Sequence, residues 1–257
     1  MKSRGFRRAA AVAAVIVATL GASTRAEASH SWGGYHWART ANPFTLKLGN
    51  NLSSKWNSFL GTASSDWSQS TVLDTTIVAG ATNPRNCKAT NGTVQVCNST
   101  YGSTGWLGVA QIWLSGSHIT RGSVKVNDTY FDTATYNTPA WRNLVMCQEV
   151  GHTLGLDHQD TIFENTNLNT CMDYTNDPGT NQHPNQHDYD QLVSIYTHLD
   201  STTTVAVAGT LSTLGGTGAD TADWGRRVSG STKPGTVAGY VKDLGGGDFV
   251  VTFVINA

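Results

Sequence analysis

Short runs of apolar residues alternate with turn residues along the first half of this chain. Pro43-Phe44-Thr45-Leu46-Lys47-Leu48 alternates apolar with polar as a half-buried strand does, and Gly49-Asn50-Asn51 ends it. Val72 to Val78 reads as a second strand. Leu107 to Leu114 and His118 to Asn127 read as two more, separated by Ser115-Gly116-Ser117. Between the first two strands the period changes: Trp56, Phe59, Leu60 and Ala63 share one helical face within Ser53 to Trp67, and Ser53 or Ser54 is available as N-cap. Strand, helix, strand in that order predicts an α/β layer with a right-handed crossover. Residues 79–105 read as loop. Thr138-Pro139 opens a second helix, with the threonine as N-cap and the proline at the first helical position, and Gly155 ends it. Asp188 to Leu199 predicts a third helix, in which Leu192, Ile195, Tyr196 and Leu199 make a core-facing stripe. Near the end, Ala238 to Val241 and Phe249 to Ile255 flank Gly245-Gly246-Gly247 as a β-hairpin. A lone hairpin is marginal in water, so this one is expected to dock on the rest of the chain or to join a short sheet of its own.

Charge and composition narrow the class. Lys2, Arg4, Arg7 and Arg8 precede an apolar run from Ala9 to about Gly21, and Ala26-Glu27-Ala28 is a small-x-small cleavage site. Residues 1–28 therefore read as a secretory signal peptide, with the mature chain starting near Ser29. The run is too short to span a bilayer, and no later one is long enough. The expectation is a secreted, extracellular protein with no membrane attachment in its mature form. Without the first 28 residues, 12 basic side chains face 17 acidic ones. That balance argues against a nucleic-acid partner. The remaining 229 residues suffice for one substantial domain, expected over 29–200, plus a Gly/Thr/Ser-rich linker and small β appendage over 201–257. No internal repeat is visible, and a monomer is expected.

The chemistry concentrates in Cys147-Gln148-Glu149-Val150-Gly151-His152-Thr153-Leu154-Gly155-Leu156-Asp157-His158 and, further on, Cys171-Met172-Asp173-Tyr174. Residues four apart on a helix share a face, so Gln148 and His152 point to one place with Glu149 one step round. Gly155 can take the left-handed conformation that returns His158 to the same place. This pattern resembles the long zinc signature of the metzincin peptidases, His-Glu-x-x-His-x-x-Gly-x-x-His with a downstream Met-turn, and its helix and size look closest to the matrixins. Gln148 stands where that signature has its first histidine. The resemblance implies an α/β (α+β) metzincin-like catalytic domain: a twisted mixed sheet, an active-site helix, a Met-turn and a C-terminal helix. It also implies Zn2+ held by His152, His158 and the Gln148 position, Glu149 as general base, and Met172 as an apolar floor under the metal. Tyr174 would stabilise the oxyanion, and the substrate would be a peptide or protein. Leu107 to Trp113 is the candidate edge strand that would pair with an extended substrate, an ordinary interior strand being as good a reading.

An amide oxygen is a poorer zinc donor than an imidazole nitrogen, so three readings of Gln148 stay open. It ligates through its carbonyl or yields to water; another side chain such as Asp157, Asp160, His183 or His187 completes the set; or catalysis is lost and the domain is a protein- or cell-wall-binding module. Asp160 is also a candidate partner for orienting a ligand histidine. His30 and His36 have no metal-like partner nearby in sequence and read as surface or packing residues. Four cysteines in an oxidising compartment allow three pairings. Cys87–Cys97, around the turn Ala89-Thr90-Asn91-Gly92, and Cys147–Cys171, tying the active-site helix to the Met-turn, are the favoured ones; buried thiols are the alternative.

Overall fold

A computed structural model of the chain describes residues 30–160, 162–205 and 224–257. The expected signal peptide and much of the expected linker lie outside them. Among the described residues the architecture is mixed α/β, one nine-stranded sheet with few helices. Strands β1 (His36–Trp37), β2 (Phe44–Asn51), β3 (Leu73–Ala79), β4 (Thr93–Ser99), β5 (Trp106–Ser115) and β6 (His118–Asn127) come first. Strands β7 (Arg226–Gly230), β8 (Val237–Gly245) and β9 (Asp248–Asn256) come from the tail. The order across the sheet is β3-β2-β4-β6-β5-β9-β8-β7, with β1 paired to β6. From β3 to β6 the pairing is parallel, and from β6 to β7 it is antiparallel.

Helix α1 (Asn57–Trp67) connects β2 to β3 and buries Leu60, Ala63 and Trp67, two of them foreseen on its apolar face. A short α2 (Asp128–Phe131) follows β6. Helix α3 (Pro139–Thr153) starts where expected, with the Thr138 hydroxyl accepting from the Trp141 N–H. Helix α4 (Gln186–Ile195) begins two residues early because Asn185 and Asp188 form a reciprocal capping box there. No helix among the described residues is long and apolar enough to cross a membrane.

One feature departs from expectation. β4 lies inside the stretch read as loop because its polar side chains are buried among partners from distant elements. Gln95 Oε1 accepts from Asn51 Nδ2 at 2.9 Å and from the Ala81 N–H at 3.0 Å, and Asn98 Oδ1 accepts from the Ser53 N–H at 2.6 Å. A local apolar pattern carries no trace of such partners. Of the two readings open for β5, the interior strand is the one found: β6 pairs along one side and β9 along the other, from Trp106↔Asn256 to Ser115↔Asp248. The tail thus extends the main sheet, and Val251, Phe253 and Ile255 enter the same core as α1 and α3.

Both favoured disulfides are present, Cys87–Cys97 and Cys147–Cys171. The second closes a separation of 24 residues, for which loop entropy gives roughly 3 kcal/mol of stabilisation.

Candidate metal centre

From Leu144 to Thr153 every residue of α3 is buried, including Gln148, Glu149 and His152. Three polar side chains in the middle of a core need partners, and their partners define the site. Gln148 Nε2 donates to the backbone carbonyls of Cys171 at 2.6 Å and Asp173 at 3.1 Å. The amide therefore clamps α3 to the 171–174 turn alongside the disulfide. Its Oε1 is left buried with no hydrogen-bond partner.

His152 Nδ1 lies 2.9 Å from the Leu156 carbonyl oxygen. A carbonyl can only accept, so the proton sits on Nδ1 and the lone pair on Nε2, the tautomer a metal requires. Burial, then the neighbouring His158, holds the His152 pKa well below the usual histidine value, against the opposing Leu156 hydrogen bond. Past the helix, Gly155 adopts φ +97°. A Cβ there would lie 2.2 Å from the Tyr35 carbonyl oxygen, so the turn needs glycine for both its backbone sign and its contact. The turn brings the His158 ring to 4.6 Å from His152, at 70° to it. His158 Nδ1 faces Asp157 Oδ1 at 3.3 Å, and its Nε2 is buried without a partner.

Glu149 is fully buried, and neither carboxyl oxygen makes a hydrogen bond of normal geometry. Burial raises its pKa well above the ordinary glutamate value, opposed by the Ala110 backbone. It lies against β5 at Gly108, where a Cβ would come within 2.5 Å of Glu149 Oε1. Met172 is fully buried in the core beneath α3. Tyr174 stands 5.8 Å from His158, ring to ring. Burial raises its phenol pKa, and hydrogen bonds involving the Val237 backbone and the Thr236 side chain oppose the rise.

Gln148 Oε1, both Glu149 oxygens and His158 Nε2 are thus buried polar atoms without a hydrogen bond of normal geometry along one motif. Each costs roughly 1–3 kcal/mol when left so. A cation is one way to satisfy such atoms, and imidazole nitrogens such as those of His152 and His158 are donors that zinc takes. The third protein ligand is the weak point. Among the described residues, the groups of at least three His, Cys, Asp or Glu with ligand atoms within 4.8 Å of one another are His30-His187-Asp188 and His36-His198-Asp200. Neither contains His152 or His158. Asp157 faces the other nitrogen of His158, and His183 pairs with Asp66 at 2.7 Å. Asp160 accepts from the Ile162 N–H and Asn165 Nδ2, so the residue positioned beside a motif histidine is Asp157.

The tail covers this centre. Phe253 of β9 stacks flat on His152, with centroids 4.0 Å apart and planes 4° apart. A cleft lined by Asp157, His158, Asp160, Tyr174, Ser229, Gly230 and Val237 remains beside it.

No protein-family model matches the chain, and no curated protein does. Among solved structures it is similar to high choriolytic enzyme 1, a hatching enzyme zinc-protease from Oryzias latipes (medaka fish). The match covers 63% of this chain and 94% of that one, at 14% identity and a TM-score of 0.35. A likeness that slight carries no argument, and the chemistry rests on the residues above.

Gly155→Ala should destabilise the fold by about 2 kcal/mol or more, through backbone strain plus the Tyr35 clash. Urea unfolding measures it; a loss below roughly 0.5 kcal/mol, the range of ordinary surface substitutions, would show that the turn relaxes freely.

Proposed function

We propose that the chain is a secreted zinc-dependent metalloendopeptidase of metzincin type, matrixin-like in its motif, held closed by its own C-terminal strands. The observation that carries this reading is the pair of oriented imidazoles, His152 and His158, in one motif with the buried, unpartnered carboxyl of Glu149. Zinc, when bound there, supplies Lewis-acid polarisation of the scissile carbonyl and a more acidic water. His152 and His158 would hold it, with Gln148 Oε1 or water completing the set. Glu149 would take the proton from the attacking water and deliver it to the leaving amine. Tyr174 would stabilise the oxyanion once its hydroxyl is released from Thr236 and Val237. An extended peptide would need the place beside β5 that β9 now fills.

The second reading is a catalytically silent protein- or cell-wall-binding domain. Its support is the Gln148 side chain, whose Nε2 is committed to clamping the 171–174 turn. Purified secreted chain, assayed for bound zinc and for cleavage of an unstructured protein, separates the two. Glu149→Gln should retain zinc and lower cleavage by about 10²–10⁴-fold. Cleavage that survives the substitution sinks the mechanism, and a wild type with neither zinc nor cleavage favours the silent domain.

A further inference from the structure

Histidines 30 and 187 stand 157 positions apart in the chain, and their rings lie 4.8 Å apart in the fold, with planes 18° apart. Asp188 completes the group: His30 Nε2, one ring nitrogen of His187 and one Asp188 oxygen lie within 4.8 Å of one another. His30 and Asp188 are 3% and 0% exposed, and His187 is half-buried. His30 Nε2, His187 Nδ1 and Asp188 Oδ1 are all buried atoms with no hydrogen-bond partner.

The remaining polar atoms of His30 and Asp188 are engaged, and this fixes what the free ones offer. His30 Nδ1 is 2.9 Å from the Asp157 carbonyl oxygen, so it carries the proton and Nε2 carries a lone pair. Asp188 Oδ2 accepts from the Asn185 N–H at 2.8 Å and from the Thr170 hydroxyl. His30 Nε2 and Asp188 Oδ1 then face each other at 3.5 Å. Neither atom has a hydrogen bond of its own, and nothing lies between them.

The geometry points to a second metal site, in which His30 Nε2, His187 Nδ1 and Asp188 Oδ1 bind a zinc-class divalent cation separately from the His152/His158 centre. Two nitrogens and one oxygen suit zinc and its transition-metal neighbours and are too few and too soft for calcium or magnesium. The carbonyl behind His30 and the two donors behind Asp188 hold the ligands in place, as partners behind metal ligands generally do. The site joins the start of the described chain to the first turn of α4. Through Asp157 and Thr170 it also reaches the segments on either side of the candidate catalytic turn. The role is structural: a cross-link at a point where the sheet gives the first residues little support. The other group, His36-His198-Asp200, is already satisfied. There Arg39 Nη1 donates to Asp200 Oδ2 at 2.9 Å, and His36 Nε2 meets His198 Nε2 at 3.1 Å.

The test uses secreted chain carrying His152→Ala and His158→Ala, stripped with a chelator and titrated with Co2+ and then Zn2+. One equivalent of metal should bind, Co2+ should give a visible ligand-field band, and Zn2+ should raise Tm in proportion to occupancy. Adding His187→Ala should abolish all three, while the metal-free Tm changes little because His187 is only partly buried. His187→Gln serves as the check if the alanine variant folds poorly. The proposal is overturned if the double variant binds no metal, which leaves a proton shared between His30 and Asp188. It is equally overturned if binding persists after His187→Ala, which makes the metal an adventitious ion only. Neither outcome depends on peptidase activity.

Discussion

Gln148→His should bind zinc more tightly than the wild-type chain by at least about 100-fold, the upper end of what losing a mere outer partner of a metal ligand costs. The substitution places an imidazole nitrogen where the motif now offers an amide oxygen, four residues before His152 on a fully buried helix. It also replaces an amide that donates twice, to Cys171 and Asp173, by a ring that can spare one N–H at most. One buried carbonyl then loses its donor, at about 1–3 kcal/mol. The variant should therefore be less stable without metal and more stable with it. Competition against a chromophoric chelator measures affinity, and Tm with and without zinc measures the crossover. Equal affinity in the two proteins would mean that position 148 does not face the metal, and the Glu149-His152-His158 reading would lose its geometry.

Phe253→Ala should cost about 3–5 kcal/mol, the usual range for deleting a buried aromatic. The ring is 1% exposed, stacks on His152, and meets Trp32 edge-on at 5.0 Å between centroids. Its loss also removes the lid over one motif histidine and weakens the hold of β9 on β5. Stability and cleavage should move in opposite directions: a lower midpoint in urea, and a higher turnover per folded molecule at temperatures where the variant is still native. A variant that loses stability without gaining turnover would make β9 an ordinary sheet strand, and the closed-form reading would fall.

Much of the candidate site was legible because its signals are local. The Thr138 cap, the proline after it, the i, i+4 spacing of Gln148 and His152, and the positive φ at Gly155 all lie within one helix and its exit turn. Short-range geometry dictates each of them. Of the two disulfides, Cys87–Cys97 was readable from the short loop it closes and Cys147–Cys171 from its place beside the motif helix and the 171–174 turn. The two tail strands were also recognisable, β9 almost to its ends, from Asp248 to Asn256.

Tertiary structure decided where those pieces go. Strand type follows from a residue's own pattern, whereas strand neighbours follow from which edge is free once the sheet assembles. The sequence could therefore mark Leu107 to Leu114 as a strand and still leave open whether β9 or a substrate lies beside it. β4 was hidden because Gln95 and Asn98 find their partners on other elements. His30 shows the same limit most sharply. Read locally it has no metal-like company, and in the fold it lies beside His187 and Asp188, more than 150 positions further along the chain. The sequence by itself determined the helix and its exit turn; folding alone decided what covers them and which distant side chains lie together.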